Sequence, residues 1–357
     1  MRPLLVISTV GTSSLTNDAD PKLQLVHHTN ATRLPDVPAL HAHLEARRAR
    51  FPSLTAPEAA RLSAELAGLQ VLAFERPAPS VHHLLVASDT ALGKEAALLV
   101  ETRLRGEGHS VERLVPHGLR SDDPDAFRRA TGELTDGVAA SVEDYRSSHD
   151  VVFHLTGGFK ALNGYLQAVG LALGATCVYL FERSTRLIVL PPLPMRLDLA
   201  GSAAGHEHTL FRLAQNLPVD QGDVDTLPAG LVLQFGEMRE LTVWGTLAWK
   251  AASGPWHRAL RGPFSPKVVY DQKFCKAAAA LSVEDRAELH AHVGALGHHL
   301  DDARVPLPKA ATFKALAGNA VPGATHELYV TSRSPARRAF GRFENGVFRL
   351  LDIDTHL

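Results

Sequence analysis

The sequence predicts an α/β protein in two main parts: a mostly parallel sheet with helices over residues 1–195, and a small α+β domain over residues 263–357. Three observations carry that expectation. Apolar runs alternate with helix-spaced segments through the first half, the pattern of strands covered on both faces by helices. The run LPPLP at 190–194 closes that pattern, because consecutive prolines end ladders and helices alike. After Gly262-Pro263 a helical stretch leads to three short strands, the last two joined through Asn345-Gly346, a strong hairpin signal.

In chain order, the run PLLVISTV at 3–10 reads as a strand that ends in a Gly/Ser/Thr loop. Residues 57–74 have helical spacing, 82–87 form a second strand, 90–105 a helix and 111–115 a short strand. Residues 124–146 read as a helix, 151–155 as a strand, 161–173 as a helix, and 176–181 and 187–190 as two more strands. Residues 196–262 are expected to be a mostly helical connector, with helices at 207–216 and 236–252 around a polar Asp/Gly/Pro loop. In the last part, 267–274 reads as a strand, 283–300 as a helical hairpin, and 326–330, 339–343 and 348–353 as strands.

The length of 357 residues agrees with about two domains at roughly 150 residues each. No apolar run approaches the roughly 18 residues a membrane span needs, and residues 1–10 lack a signal-peptide pattern, so a cytoplasmic protein with no membrane partner is expected. Cys177 and Cys275 have no CxxC spacing, so neither a disulfide framework nor a cysteine metal site is expected, and no cofactor. The formal net charge of −1 hides an uneven distribution. After Gly262 there are 12 basic and 10 acidic residues, leaving −3 for the rest, and Arg333, Arg337, Arg338, Arg342 and Arg349 face only Glu344 within 333–349.

Two loops follow predicted strands and carry phosphate-binding chemistry. One is Gly11-Thr12-Ser13-Ser14; the other is Thr156-Gly157-Gly158-Phe159-Lys160, leading into a helix with Asn163 on its first turn. Glycines at strand ends let backbone N–H groups and a helix N-terminus face an anion, and Lys160 adds a cation. Taken together, ISTVGTSSL and HLTGGFKALNGYL resemble the CARF domains of CRISPR-associated effectors over roughly residues 1–195. The resemblance implies a Rossmann-like sensor that forms a homodimer and binds a cyclic oligoadenylate, most often the tetra-adenylate, across the two-fold axis. Gly11, Thr12, Ser13, Ser14, Thr156, Gly157, Gly158, Phe159, Lys160 and Asn163 are its expected ligand contacts, joined by Ser88 and Asp89 at the end of another strand. Some members also cut their activator, a reaction that needs a ribose 2′-OH in line with the adjacent phosphate. Ser13 and Lys160 would then stabilise the developing charge.

The segment TFKALAGNAVPGATHELYVTSRSPARRAFGRFENGVFRLLDIDTHL resembles the RelE/HigB family of toxin ribonucleases, with a likeness of about 90 residues from Pro266. That implies a metal-independent mRNA endoribonuclease acting at the ribosome, with arginines holding the scissile phosphate and aromatics (Tyr329, Phe340, Phe343, Phe348) stacking on bases. Arg338 matches the phosphate-clamping arginine and His356 the terminal acid. Arg333, Arg337, Tyr329, His326 and Lys314 are lesser contributors. The chain departs from the pattern where Glu327 and Tyr329 replace lysines of one branch, and where it ends directly after His356. Beside a ring nuclease with an inert C-terminus, two rivals remain at this level. One is a CARF-regulated, DNA-binding transcription regulator. The other is a CARF–HEPN ribonuclease with the pair Arg286 and His292, for which a solvated helix face is the competing account.

Overall fold

The computed structural model describes the chain except residues 182–183, 195–196, 237, 317–320, 332–335 and 356–357. It forms two compact units, Met1–Leu197 and Asp198–Leu357.

In the first unit, β1 (Leu4–Val10), β2 (Val81–Ala87), β3 (Ser110–Leu114), β4 (Asp150–His154), β5 (Thr176–Leu180) and β6 (Leu187–Leu190) form a six-stranded sheet ordered β3-β2-β1-β4-β5-β6. All neighbours are parallel except β5 and β6. Every residue of β1 is buried, as expected for a central strand covered on both faces. The chain moves outward from β1 to β2 and β3, then returns to lay β4 against the other side of β1. The C-terminal ends of β1 and β4 therefore flank a topological switch point, where open α/β sheets form a ligand crevice.

The single helix expected over 57–74 is two helices, Ala56–Leu62 and Ala64–Glu75. Ser63 breaks them by taking an extended conformation, and its Oγ accepts the Leu66 N–H at 3.3 Å as an N-cap. That break sets Glu65 in the first turn of the second helix. The helix Pro38–Arg50, which periodicity did not reveal, adds Leu40 and Leu44 to the same core.

The second unit has a two-stranded hairpin, β7 (Val232–Phe235) and β8 (Met238–Leu241), and a five-stranded sheet. The sheet contains β9 (Val268–Tyr270), β10 (Phe313–Ala315), β11 (His326–Thr331), β12 (Arg337–Glu344) and β13 (Val347–Thr355), ordered β10-β11-β12-β13-β9. Only β9 runs parallel to its neighbour. Asn345 and Gly346 take φ values of 52° and 79°, the left-handed pair a tight hairpin requires. Phe211, Leu217 and Trp256 share one core with Phe274, Leu289, Val293, Leu328, Phe348 and Leu350. Residues of the 196–262 stretch thus pack on the final sheet rather than standing apart as a connector.

Three segments differ from their sequence reading. The helix expected over 236–252 is β8 followed by a helix Val243–Trp256, because the Thr242 Oγ1 caps the Gly245 N–H at 3.1 Å. The strand expected over 267–274 ends at Tyr270, where Asp271 caps a helix Gln272–Ala279. The helical hairpin expected over 283–300 is one helix, Val283–Asp301. Its Gly294 and Gly297 are close-approach sites rather than turns: an added Cβ would lie 2.8 Å from Leu217 Cδ1 and 2.7 Å from Ser265 Cβ.

Arg286, expected on a solvated face, is instead buried in this helix. Its guanidinium donates to the carbonyls of Ala278 (3.0 Å), Ala279 (2.7 Å), Leu281 (2.7 Å), His257 (3.0 Å) and Arg258 (2.5 Å). Five N–H groups are all an arginine has, so none is left for a phosphate. His292 is likewise bonded internally, its Nδ1 2.8 Å from the Tyr329 carbonyl. Arg286→Ala leaves several buried carbonyls unpaired and is expected to lower unfolding free energy by about 3–5 kcal/mol in urea titration. Unchanged stability with lost RNA cleavage would instead restore the Arg286/His292 nuclease.

The cores also contain neutral histidines. His257 Nδ1 and His290 Nδ1 are 2.8 Å apart, and His290 Nε2 accepts the Arg261 N–H at 2.9 Å. Burial pushes His290 down to about 3 and His257 to about 4, and in the first unit it pushes His83 to about 3 and His154 to about 4. Between those values and the unfolded value near 6.5, the unfolded chain binds protons that the folded chain does not. Stability is therefore complete above about pH 6.5 and falls as the pH drops toward 4. The urea midpoint at pH 5 is expected to lie well below that at pH 7.5. Equal midpoints would mean that these rings take protons in the folded state.

Candidate functional site

At the switch point the two loops meet backbone to backbone. Thr9 Oγ1 donates to the Gly157 carbonyl at 2.7 Å, and a Cβ on Gly11 would come within 2.9 Å of the Gly158 nitrogen. Gly158 has φ +78°, a conformation that favours glycine, with Thr9 3.0 Å from its would-be Cβ. Between the loops lies Glu65, 0% exposed. Its Oε1 accepts the Gly11 N–H at 2.6 Å, and its Oε2 accepts Ser13 Oγ–H at 3.0 Å and Ser63 Oγ–H at 2.7 Å. A Cβ on Gly157 would fall 2.0 Å from Oε1, so glycine there makes room for the carboxylate. Sequence reasoning missed Glu65. The available signal was an acid two residues after the N-cap serine, in the first turn of the mainly apolar helix AELAGLQVLAFE.

Around this centre, Thr12 starts the turn Ser13–Thr16, its carbonyl accepting the Leu15 and Thr16 N–H groups. Lys160 opens the helix Lys160–Ala172 and is exposed, and Phe159 packs edge-on against Phe127. Asn163 Oδ1 has no hydrogen-bond partner among the described residues and lies 3.3 Å from the would-be Cβ of Gly158. Thr156 Oγ1 contacts His154 Nε2 at 2.8 Å and accepts the Leu180 N–H at 2.9 Å, which ties that loop to the sheet.

Of three further residues expected at the crevice, one is buried and two are engaged elsewhere. Ser14 is fully buried and presents no surface to a ligand. Ser88 pairs its hydroxyl with Thr90 Oγ1 at 3.0 Å. The Asp89 carboxylate takes the Gly118 N–H at 2.9 Å and Lys94 at 2.6 Å. Burial opposes its ionisation, but these two partners outweigh burial and hold it below the usual carboxylate range. Asp89 lines a separate cavity of about 460 Å³ together with Thr32, Arg120 and Arg129.

On the sheet of the second unit, register brings Lys314 opposite Glu327, and Tyr329 opposite Arg338. Arg338, 7% exposed, bonds Glu327 Oε1 through Nη1 at 2.5 Å and the Tyr329 hydroxyl through Nη2 at 2.8 Å. Its guanidinium lies 4.3 Å from the centre of the Tyr329 ring. Lys314 Nζ is 3.1 Å from Glu327 Oε1. Burial raises Glu327, yet hydrogen bonds from Arg338 and Lys314 outweigh it and keep the carboxyl below its ordinary range. Arg338 Nε has no partner among the described residues.

This cluster unites three expected residues, Lys314, Tyr329 and Arg338, with Glu327. Strand alternation turns His326 and Arg337 to the opposite face. There His326 stacks on Phe313 at 5.1 Å and meets Phe343 edge-on at 5.2 Å. Phe340 and Phe348 are buried and so cannot stack on bases, while Phe343 is exposed. Arg342 and Arg349 share Glu344, at 2.6 Å each. Arg333 and His356 lie outside the described residues.

Residues 60–193 match the family model described as CRISPR-associated protein (Cas_APE2256). The match indicates a CRISPR-associated function. It takes in β2 through β6, Glu65 and the whole β4 loop, while β1 and the second unit fall outside it. A search of curated proteins found no match. Among the described residues no helix is long and apolar enough to cross a membrane, and no group of three or more His, Cys, Asp or Glu side chains is arranged to hold a metal ion.

Proposed function

We propose that this chain is a homodimeric effector of CRISPR antiviral defence, in which a cyclic oligoadenylate bound at the first unit switches on mRNA cleavage by the second. The observation that carries the sensor half is the pairing of the Gly11 and Gly157-Gly158 loops at the β1/β4 switch point, with Lys160 exposed beside them. The CRISPR-associated match over residues 60–193 supports the same reading. A ring of phosphates with rotational symmetry suits two such crevices related by a two-fold axis.

For the effector half, the support is the Lys314, Glu327, Tyr329 and Arg338 cluster on one face of the RelE-like sheet. In this reading the ribose 2′-oxygen of the message attacks the adjacent phosphorus and the P–O5′ bond breaks. The products are a 2′,3′-cyclic phosphate and a 5′-hydroxyl. Arg338 and Lys314 stabilise the charge on the pentacoordinate phosphorus, Glu327 receives the 2′-OH proton, and His356 is the proposed donor to the 5′-oxygen. The ribosome orients the message.

The test is a reconstituted translation reaction given cyclic tri-, tetra- or hexa-adenylate, with calorimetric binding of each ring measured alongside. Translation arrest at stoichiometric cyclic tetra-adenylate is expected. Duplex DNA binding without arrest would favour the transcription regulator, and activator loss without arrest would leave a ring nuclease with an inert second unit.

A further inference from the structure

We propose that Glu65 is the positioning residue of a proton relay through Ser13, by which the first unit cuts its own cyclic oligoadenylate. The proposal rests on the reading of the crevice as the oligoadenylate site and on the self-cleavage that the CARF resemblance implies, and adds the route of the proton.

The hydrogen-bond directions carry it. Ser13 Oγ gives its proton to Glu65 Oε2 at 3.0 Å and accepts the Ala64 N–H at 3.0 Å, leaving one lone pair. A hydroxyl so committed accepts a hydrogen bond; it has no proton to offer a phosphate. Ser13 is half-buried at the loop, whereas Glu65 behind it is wholly buried. Both Glu65 oxygens only accept, from Gly11, Ser13 and Ser63. On a ring of nucleotides, the hydroxyl proton beside each phosphate belongs to the ribose 2′-OH, and Ser13 is the acceptor it meets.

In the step, the 2′-oxygen bonds to the adjacent phosphorus and the P–O5′ bond breaks. The 2′-OH proton passes to Ser13 Oγ as Ser13 passes its own to Glu65 Oε2. The leaving 5′-oxygen takes a proton from the Lys160 ammonium. The ring becomes a linear oligoadenylate with a 2′,3′-cyclic phosphate and a 5′-hydroxyl. No water or metal is consumed, and solvent restores Glu65 and Lys160.

The experiment follows single-turnover cleavage of cyclic tetra-adenylate by the full chain at pH 7.5, with binding by calorimetry and thermal midpoints for every variant. Glu65→Gln is expected to bind within about threefold of the unmodified chain and to cut at least 100-fold more slowly, the usual scale for a lost general base. Glu65→Asp, which keeps a carboxylate to take the proton, is expected to recover at least tenfold over Gln. A merely structural role would lower binding and the thermal midpoint together with the rate, with no recovery in Glu65→Asp. If Glu65→Gln does not fold, Ser13→Ala carries the test, with the same loss of rate expected. Cleavage by either variant at the unmodified rate overturns the relay. So does an unmodified chain that binds the ring without cutting it, an outcome that leaves the sensor reading intact. A chain that binds no cyclic oligoadenylate removes both.

Discussion

Replacing Arg338 by lysine is expected to cut message cleavage at least 100-fold while leaving cyclic tetra-adenylate binding unchanged. The lysine keeps one positive charge but loses the fork by which Arg338 holds both Glu327 Oε1 and the Tyr329 hydroxyl. A preorganised charge aimed at the transferring phosphate is worth about 10²–10³ in rate, so loss of the fork should show in turnover before it shows in folding. Arg338→Ala is a poorer probe. It strands a buried Glu327 with Lys314 alone and should cost roughly 3–5 kcal/mol of stability, which confuses lost chemistry with lost structure. Message cleavage by Arg338→Lys at the unmodified rate, measured by primer extension in a translation reaction, would make this cluster structural.

Gly157→Ala should abolish oligoadenylate binding. The added Cβ would stand 2.0 Å from Glu65 Oε1, and Glu65 is pinned by Gly11, Ser13 and Ser63, so the loop rather than the carboxylate must move. Displacing the loop by even 1 Å spoils a site that works by backbone placement, and a loss of at least 100-fold in affinity is expected by calorimetry. Overpacking of this kind costs about 1–3 kcal/mol of stability. The control is Gly164→Ala in the following helix, where an added Cβ meets open space. It should bind normally and be up to about 1 kcal/mol more stable. Normal binding by Gly157→Ala would remove the two-loop crevice as the ligand site.

The parallel sheet was legible because its strands carry short apolar runs between helix-spaced segments, and β1 buries all seven of its residues. The two glycine loops were legible because each follows such a run. Glu65 was not, because nothing in the chain order brings a helix start at residue 64 beneath loops at residues 11 and 157; only the strand order does. Helix ends governed by caps were misjudged where a cap stood inside an apolar pattern, as at Ser63, Thr242 and Asp271. Arg286 shows the limit of motif spacing. An Arg six residues before a His is the same in sequence whether it faces solvent or five carbonyls. In the second unit the sequence groups Tyr329 with His326, which the strand register turns to opposite faces, and the arginine-rich composition did not reveal that Arg342 and Arg349 are spent on Glu344.

The central claim is that one chain both senses a cyclic oligoadenylate and cuts translated message. The most direct measurement maps the ends of a single message in a translation reaction with and without cyclic tetra-adenylate. The account predicts new 5′-hydroxyl and 2′,3′-cyclic phosphate ends within the translated region, only when activator, ribosomes and Arg338 are all present. Ends that appear without activator, or no new ends with activator fully bound, would contradict it.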